Sequence, residues 1–519
     1  MQNIEIRLLI TSDIHGYVFP TSFRDQKEEN LGLAKLATII KEKRKEGHVI
    51  LIDNGDFIQG SPLTFYHHKF RDKMKNPMVT AANYLKYDAV TLGNHEFNFG
   101  LSVLKDIMVQ SEFPWLSANI INDDGGYLGT PYVVKVIAGL RIVLLGLTTH
   151  YVPHWEESVH IEGLQFEDAL HSAQKWVNYI RRHEEIDLLI VCYHGGFERD
   201  LQTGELVEKE SGENQGYAMC RELEGIDVLV TGHQHREIAE KVLGKTVIQP
   251  GTKGSCLGEI VITVTKDEER IVSISHEPSL IYVDDQVQAD EEVCTQLRPL
   301  YDETEEWLNR PIGVVEGDMY IHDPFQARLK EHPYVEFINS VQLHVSGAEI
   351  SCTALFHNKP GGFLNHVTMR QIVANYIYPN TLKVIELSGM DIKEALEQSA
   401  TYFALKDGEI SINPKFEYPK QQYYNYDMWE GIEYELKISN PIGERVTKLL
   451  VNGKPIVPER KFTVVMNSYR ASGAGNFPMF QNKSVLKEIQ TDMTELIAQQ
   501  LMDRKIIRAE CNHNWRVIV

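Results

Sequence analysis

Along the first half of the chain, short unbroken apolar runs are separated by stretches with helical periodicity. The runs at 7–11, 49–52, 89–92, 142–147, 188–192 and 228–230 read as strands buried on both faces. Between them, Leu33, Leu36, Ala37 and Ile40, and later Ala169, Ala173, Trp176, Val177 and Ile180, recur at helical spacing. Buried strands alternating with amphipathic helices predict a layered α/β domain with helices on its outer faces. The runs at 246–249, 257–264 and 271–276 have no helix between them and are expected to be antiparallel strands completing that domain.

Between 284 and 306 there are nine acidic residues and one basic residue, Arg298. Val293, Leu297, Leu300, Tyr301, Thr304, Trp307 and Leu308 share one helical face, and Pro299 is expected to kink or split that helix. The expected organisation is a first domain over 1–285, an acidic helical linker or hinge over 286–325, and a smaller α/β domain over 326–519. In the last, Tyr334, Ile338, Val341 and Val345 predict a helix stopped by Gly347, followed by a strand at 350–356. Thr368 is expected to cap a helix over 369–376, with a strand at 382–387 and a helix over 391–403. Asn452-Gly453 predicts a tight turn between strands at 446–451 and 462–466.

A chain of 519 residues has room for at least two cores. Its 52 Lys and Arg against 73 Asp and Glu give a net charge of −21, which argues against long nucleic acid as a partner. A single nucleotide stays admissible, because bound metal ions invert the local field. The six cysteines are scattered without a CxxC pair, as expected of free thiols in a reducing compartment. No basic segment followed by an apolar one opens the chain, and no apolar run is long enough to span a bilayer. The expected location is cytoplasmic, with no membrane partner; oligomeric state is left open.

The chemistry centres on Gly93-Asn94-His95-Glu96-Phe97, with echoes at Asp13-Ile14-His15, Gly55-Asp56, His194 and Gly232-His233-Gln234-His235. Singly these are ambiguous, since an Asp-x-His is as often structural and Gly-Asp commonly marks a turn. Together they all follow predicted strand ends, most of them beside glycine. If the strands are neighbours in one sheet, the loops converge on its carboxyl edge, where ligands bind in open α/β folds. That edge would carry more oxygen and imidazole donors than one ion needs. It points to a two-metal hydrolase of phosphate esters, with ions about 3.5–4 Å apart clamping an in-line displacement. Mixed oxygen and nitrogen donors without cysteine suit Mn, Zn, Fe or Co.

With Gly55-Asp56-Phe57-Ile58-Gln59-Gly60 standing as a GDxxxG-type motif, the chain resembles the calcineurin-like metallophosphoesterases. Its whole organisation resembles the 5′-nucleotidase superfamily. That resemblance implies a four-layer αββα metallophosphoesterase domain followed by a smaller α/β nucleotide-recognition domain. It also implies two divalent metal ions, one on Asp13, His15 and His235, the other on Asn94, His194 and His233, with Asp56 bridging. By the same resemblance His95 does not ligate but sits beside the phosphate, stabilising the transition state and the departing oxygen. A hydroxide held between the ions is the expected nucleophile. The uncharged Asn94 limits the negative charge facing an anionic substrate.

Three later stretches, Tyr378-Pro379-Asn380-Thr381-Leu382, Tyr424-Asn425-Tyr426-Asp427 and the segment 467–475, look most like the 2′,3′-cyclic-nucleotide 2′-phosphodiesterase/3′-nucleotidase branch. The resemblance implies that Tyr424 and Tyr469 sandwich the base, with Tyr423 an alternative for the first ring. Asn425 would read a base edge, and Gly473 and Gly475 would let the backbone approach the nucleoside. Core packing is the competing reading of these tyrosines. Ala354-Leu355-Phe356-His357 lacks the Gly-Gly-Ile-Arg-like run of 5′-nucleotidases. The expected activity is hydrolysis of 2′,3′-cyclic nucleotides to 3′-nucleotides, then of these to nucleoside and phosphate. The alternatives are a 5′-nucleotidase or nucleotide-diphosphate hydrolase on the same scaffold, and a non-catalytic nucleotide sensor.

Overall fold

The apolar runs of the first half become strands divided between two sheets, as the expected four-layer αββα domain implies. These are the observations of a computed structural model that describes residues 2–154, 156–207, 211–267, 270–376, 378, 380–489 and 491–519. The chain separates into two units between Thr304 and Glu305. In the first unit, one sheet has the order Arg270–Tyr282, Cys256–Asp267, Gln2–Thr11, His48–Asp53, Ala89–Thr91, Trp115–Leu116, the last four strands parallel. The other has the order Glu237–Val242, Lys245–Pro250, Val228–Val230, Leu188–His194, Leu140–Thr148, Tyr132–Ile137, with the middle four parallel.

The two sheets share a core. Ile6, Leu8, Ile10, Ile50 and Ile52 of the first cluster with Ile142, Leu144, Ile190, Val228 and Val230 of the second. Because side chains alternate along a strand, Val143, Leu145, Leu189 and Val191 point the other way. There they meet Ala169, Ala173, Val177 and Ile180 of the helix Ala169–His183. Asp168 caps that helix by accepting from the His171 amide. On the first sheet, the helix Leu33–Lys45 packs against the strand His48–Asp53. The order of layers is helix, sheet, sheet, helix, which explains why the strand runs are apolar on both faces.

The expectation for 246–249 needs correcting. Lys245–Pro250 is antiparallel only to Glu237–Val242, a strand not anticipated; beside Val228–Val230 it runs parallel. Glu237–Val242 is an edge strand with only Ile238 and Val242 buried, too weak an alternation to read. The helix Glu291–Leu308 runs unbroken through Pro299, and all seven residues assigned to its apolar face are buried.

The second unit is built on a five-stranded sheet, ordered Asp427–Glu430, Ile350–Ala354, Lys461–Asn467, Leu382–Ser388, Val485–Ile489. The helix Pro333–Ser346 packs on Ile350–Ala354 and stops at Gly347, whose φ of 72° only glycine adopts without cost. The helix Gly389–Ala400 opens on a reciprocal cap between Ser388 and Asp391 and ends earlier than expected, with Phe403 starting a strand. Thr368 occupies the N-cap position of Met369–Asn375 without a side-chain bond. Asn452 and Gly453, at φ 51° and 73°, do make a tight turn. The turn pairs Val446–Val451 with Lys454–Pro455, not with Lys461–Asn467, which belongs to the larger sheet. A two-residue turn pairs whatever follows at once, so the next apolar run was the wrong partner.

Candidate metal centre

Every loop that carries a motif residue leaves the carboxyl end of a parallel strand. Asp13 and His15 follow Gln2–Thr11, Asp56 follows His48–Asp53, Asn94 and His95 follow Ala89–Thr91, and His233 and His235 follow Val228–Val230. His194 ends its own strand, Leu188–His194. The loops are laced together: the amides of Asp13 and His15 donate to the carbonyls of Gly55 (2.9 Å) and Asp56 (2.8 Å). The amide of Gly232 donates to the Gly195 carbonyl (3.0 Å). These bonds bring two donor triads together, Asp13, His15 and His235 in one and Asp56, His194 and His233 in the other.

Asp56 lies between them, with Oδ2 at 3.2 Å from His194 Nε2 and 4.0 Å from His15 Nε2. Asn94 Oδ1 stands 3.2 Å from His194 Nε2 and 2.9 Å from His233 Nδ1, so the amide belongs with the second triad. In the first triad His235 Nε2 is 3.5 Å from Asp13 Oδ1 and 3.1 Å from His15 Nε2. Asp13, Asp56 and His194 are at most 1% exposed. Five of the seven side chains, Asp13, His15, Asp56, His233 and His235, sit on backbone with φ between 51° and 66°. Non-glycine residues seldom adopt that region and hold it where function demands.

Several residues unassigned in the sequence hold this arrangement. Glu96 is fully buried and accepts from the amides of Gly93 (2.6 Å), Asp56 (2.9 Å), Phe57 (2.7 Å) and Ile58 (3.2 Å). The His95 amide in turn donates to Asp56 Oδ1 (2.7 Å), locking the two motifs to each other. Glu213 Oε1 lies 2.9 Å from His233 Nε2, which leaves Nδ1 for the centre. Likewise the Nδ1 atoms of His15 and His194 face the carbonyls of Gln59 (3.0 Å) and Asn54 (2.7 Å), turning Nε2 inward. Glu96 stands inside a quoted motif; Glu213 has no motif at all.

His95 is half-buried, its ring 5.2 Å from that of His15. Its Nδ1 lies 2.6 Å from Asn98 Oδ1, Asn98 Nδ2 donates to Glu156 Oε2 (2.6 Å), and Glu156 Oε1 lies 2.7 Å from His160 Nδ1. A polar chain therefore orients the ring from behind.

The charges fit a cation pair. Burial would raise Asp13, but the hydrogen bond and charge of His235 bring it down to about 2. Burial would likewise raise Asp56, yet the imidazoles around it, His194 first, hold it well below the usual range. Burial lowers His15 to about 3, so its ring is neutral and available as a donor. The His194 ring, which burial would depress, is lifted to about 10 by Asp56. Two buried carboxylates faced by imidazoles, with no Lys or Arg bound to either among the described residues, form a donor set for divalent metal ions.

In the second unit Tyr424 and Tyr469 come together, as the sequence implied, but edge to face: their centroids are 6.2 Å apart and their planes 79° apart. A parallel sandwich requires one ring to turn. Asn425 lies close by. It is buried, its Oδ1 accepts from Arg470 Nη2 (3.3 Å) and its Nδ2 donates to Gln422 (2.9 Å), so both ends of the amide are engaged within the protein. Gly473 (φ 88°) and Gly475 (φ 72°) are also used internally: a Cβ on Gly475 would stand 2.1 Å from Asn425 Oδ1, and one on Gly473 2.4 Å from Gln481 Cγ. The residue that organises this region is Arg470, which the sequence did not single out. It pairs with buried Asp427 (2.9 Å) and donates to the carbonyls of Ala474 (2.5 Å) and Tyr424 (2.8 Å). Tyr423 is half-buried on the neighbouring position, its carbonyl 3.4 Å from Arg328 Nη2. Pro379 lies outside the described residues.

Comparison with known proteins agrees with this geometry. The family model for calcineurin-like phosphoesterases matches residues 6–237, and that for the 5′-nucleotidase C-terminal domain matches 311–482. A crystal structure from Staphylococcus aureus, provisionally described as a 5′-nucleotidase and solved with alpha-ketoglutarate, is 36% identical and superposes with a TM-score of 0.92 over 99% of this chain and 100% of that one. The 2′,3′-cyclic-nucleotide 2′-phosphodiesterase/3′-nucleotidase of Haemophilus influenzae is 25% identical over 99% of this chain and 88% of its own length. The trifunctional nucleotide phosphoesterase YfkN of Bacillus subtilis is 26% identical over 99% of this chain, which spans only 39% of that longer protein. No helix among the described residues is long and apolar enough to cross a membrane. The chain is thus a metallophosphoesterase, a member of the calcineurin-like phosphoesterase family that carries the 5′-nucleotidase C-terminal domain.

Proposed function

We propose that the chain hydrolyses phosphate esters of nucleotides, opening 2′,3′-cyclic nucleotides to 3′-nucleotides and then releasing phosphate from these. The observation that carries the reading is the meeting of two donor triads at Asp56. In this reading Asp13, His15 and His235 hold one divalent ion, Asn94, His194 and His233 the other, and Asp56 is shared. When bound, such a pair clamps phosphate oxygens and supplies a water acidic enough to attack near neutral pH. Mn, Zn, Fe and Co all suit the donors.

The chain's own groups do the rest. Glu96 fixes the Asp56 loop, and Glu213 selects the nitrogen that His233 presents. With Nδ1 of His95 held by Asn98, Nε2 is the atom that passes a proton to the departing oxygen. Tyr424 and Tyr469 stack on the base, with Arg470 holding the segments that bear them; Asn425, Gly473 and Gly475 complete that face from within the same segments. The relatives named as 2′,3′-cyclic-nucleotide phosphodiesterases support the cyclic substrate. A 5′-nucleotide substrate is the second reading, favoured by the description of the S. aureus structure. Against it stands the run Ala354-Leu355-Phe356-His357 in place of a Gly-Gly-Ile-Arg-like segment. A cytoplasmic location is part of the proposal, supported by six unpaired cysteines.

The test is phosphate and nucleoside release from 2′,3′-cyclic, 3′- and 5′-adenosine monophosphates by protein reconstituted with each metal. The expected result is turnover of the first two. Turnover of the 5′-ester alone overturns the substrate assignment, and nucleotide binding without any release would leave a sensor.

A further inference from the structure

The second unit contains a cluster that hydrolysis does not use. Glu331 precedes the helix Pro333–Ser346, Glu336 lies in its first turn, and Glu430 ends the strand Asp427–Glu430. One carboxylate oxygen from each lies within 4.8 Å of the other two. The loop before the last strand, Trp515–Ile518, covers them. Asn512 Nδ2 donates to Glu430 (2.8 Å) and Glu336 (3.4 Å), Asn514 Nδ2 to Glu430 (3.2 Å), and the His513 amide to Glu331. The exposed ring of His513 stands 4.0 Å from Glu331, and no Lys or Arg pairs with any of the three among the described residues.

Three carboxyl groups therefore crowd together, one of them buried and two partly exposed. Glu331 is 8% exposed; its Oε1 and Oε2 of Glu336 are buried with no N–H donor reaching them, and the two carboxyls face each other. Buried acceptors of this kind are rare unless a cation, proton or water meets them. Burial first, then Glu331, pushes Glu336 up to about 8, and burial, then Glu336, pushes Glu430 up to about 7. Cys511, beside the same three carboxylates, is raised to about 12 by burial and by their charge, so its thiol stays protonated and the donors are oxygens.

We propose that Glu331, Glu336 and Glu430 form a structural site for a hard divalent cation of the calcium type, separate from the catalytic pair. Calcium takes carboxylate oxygens at 2.3–2.6 Å in flexible shells, whereas magnesium demands near-ideal octahedral geometry at 2.0–2.1 Å, so an irregular trio of glutamates suits calcium. Half-exposed Glu336 and Glu430 leave room for waters to complete the shell. The ion pins the C-terminal strand and its loop to the helix and strand that carry the glutamates.

The experiment uses the full chain loaded with Mn2+, then equilibrated with Ca2+ and desalted, with both metals counted by elemental analysis. Expected is one calcium per chain in the wild type and in Asp56→Asn, and none in Glu336→Gln or Glu430→Gln, both of which keep their manganese and their turnover. The thermal midpoint of the wild type rises with Ca2+; those of the two glutamine variants do not. In chelator, Glu336 binds its proton more tightly folded (about 8) than unfolded (4.5), so stability falls as pH rises between those values, and calcium suppresses the fall. A wild type that takes up no calcium overturns the site, as does equal uptake by the variants. A midpoint that follows pH but ignores calcium would mean that the cluster shares a proton instead.

Discussion

In the first unit, the side chains that converge belong to residues whose own backbone is held in the left-handed region. Their loops are cross-bonded and clamped by a buried glutamate. In the second unit, Tyr424 and Tyr469 are half-buried, edge to face, on segments tied to one another through Arg470. One region fixes atoms and the other fixes only the roots of two rings. In the proposed function the contrast matches what each region recognises. A pair of cations tolerates errors of tenths of an ångström, whereas a flat base can be met by rings that rotate into place.

Five substitutions would break or sharpen that contrast. Asp56→Asn removes the carboxylate that both triads approach, and should cost on the order of 10³-fold in turnover together with loss of metal; retained metal in elemental analysis would refute the shared-ligand assignment. His95→Ala should lower kcat by about 10²–10⁴-fold with metal content unchanged, and Asn98→Ala should reproduce a fraction of that loss. Full activity in His95→Ala would remove it from the chemistry. Glu96→Gln places an amide N–H against donors that now share a carboxylate, so metal affinity should fall about 10–100-fold; a titration indistinguishable from wild type would show the clamp to be dispensable. Tyr469→Ala should raise KM by roughly 5–150-fold, equivalent to about 1–3 kcal/mol of stacking, with kcat nearly kept. Superimposable saturation curves would exclude that ring from binding.

How far the sequence could be read follows the same divide. Asp13, His15, Asp56, Asn94, His194, His233 and His235 were legible because each ends a strand that periodicity reveals. That these strands lie in two sheets was invisible to periodicity, since a strand buried on both faces looks the same in either arrangement. The backbone angles of these residues were also hidden: glycine advertises positive φ, whereas Asp13 and His235 adopt it without a neighbouring signal. Glu213 reaches His233 from a loop that repeats nothing. In the second unit the pairing of Tyr424 with Tyr469 was readable, but the angle between them and the engagement of Asn425 depend on Arg470 and Asp427. A buried ion pair formed 43 residues apart leaves no local pattern.

The left-handed backbone at Asp13, His15, Asp56, His233 and His235 has a bearing on how a copy of this enzyme would decay. Each such residue costs the fold about 1–2 kcal/mol relative to a residue without a Cβ, a burden tolerated while hydrolysis is under selection. In a duplicate released from that selection, glycine becomes the favoured replacement at those five positions. Degenerate relatives should then betray themselves by glycines at these five positions, in folds sturdier than the active ancestor.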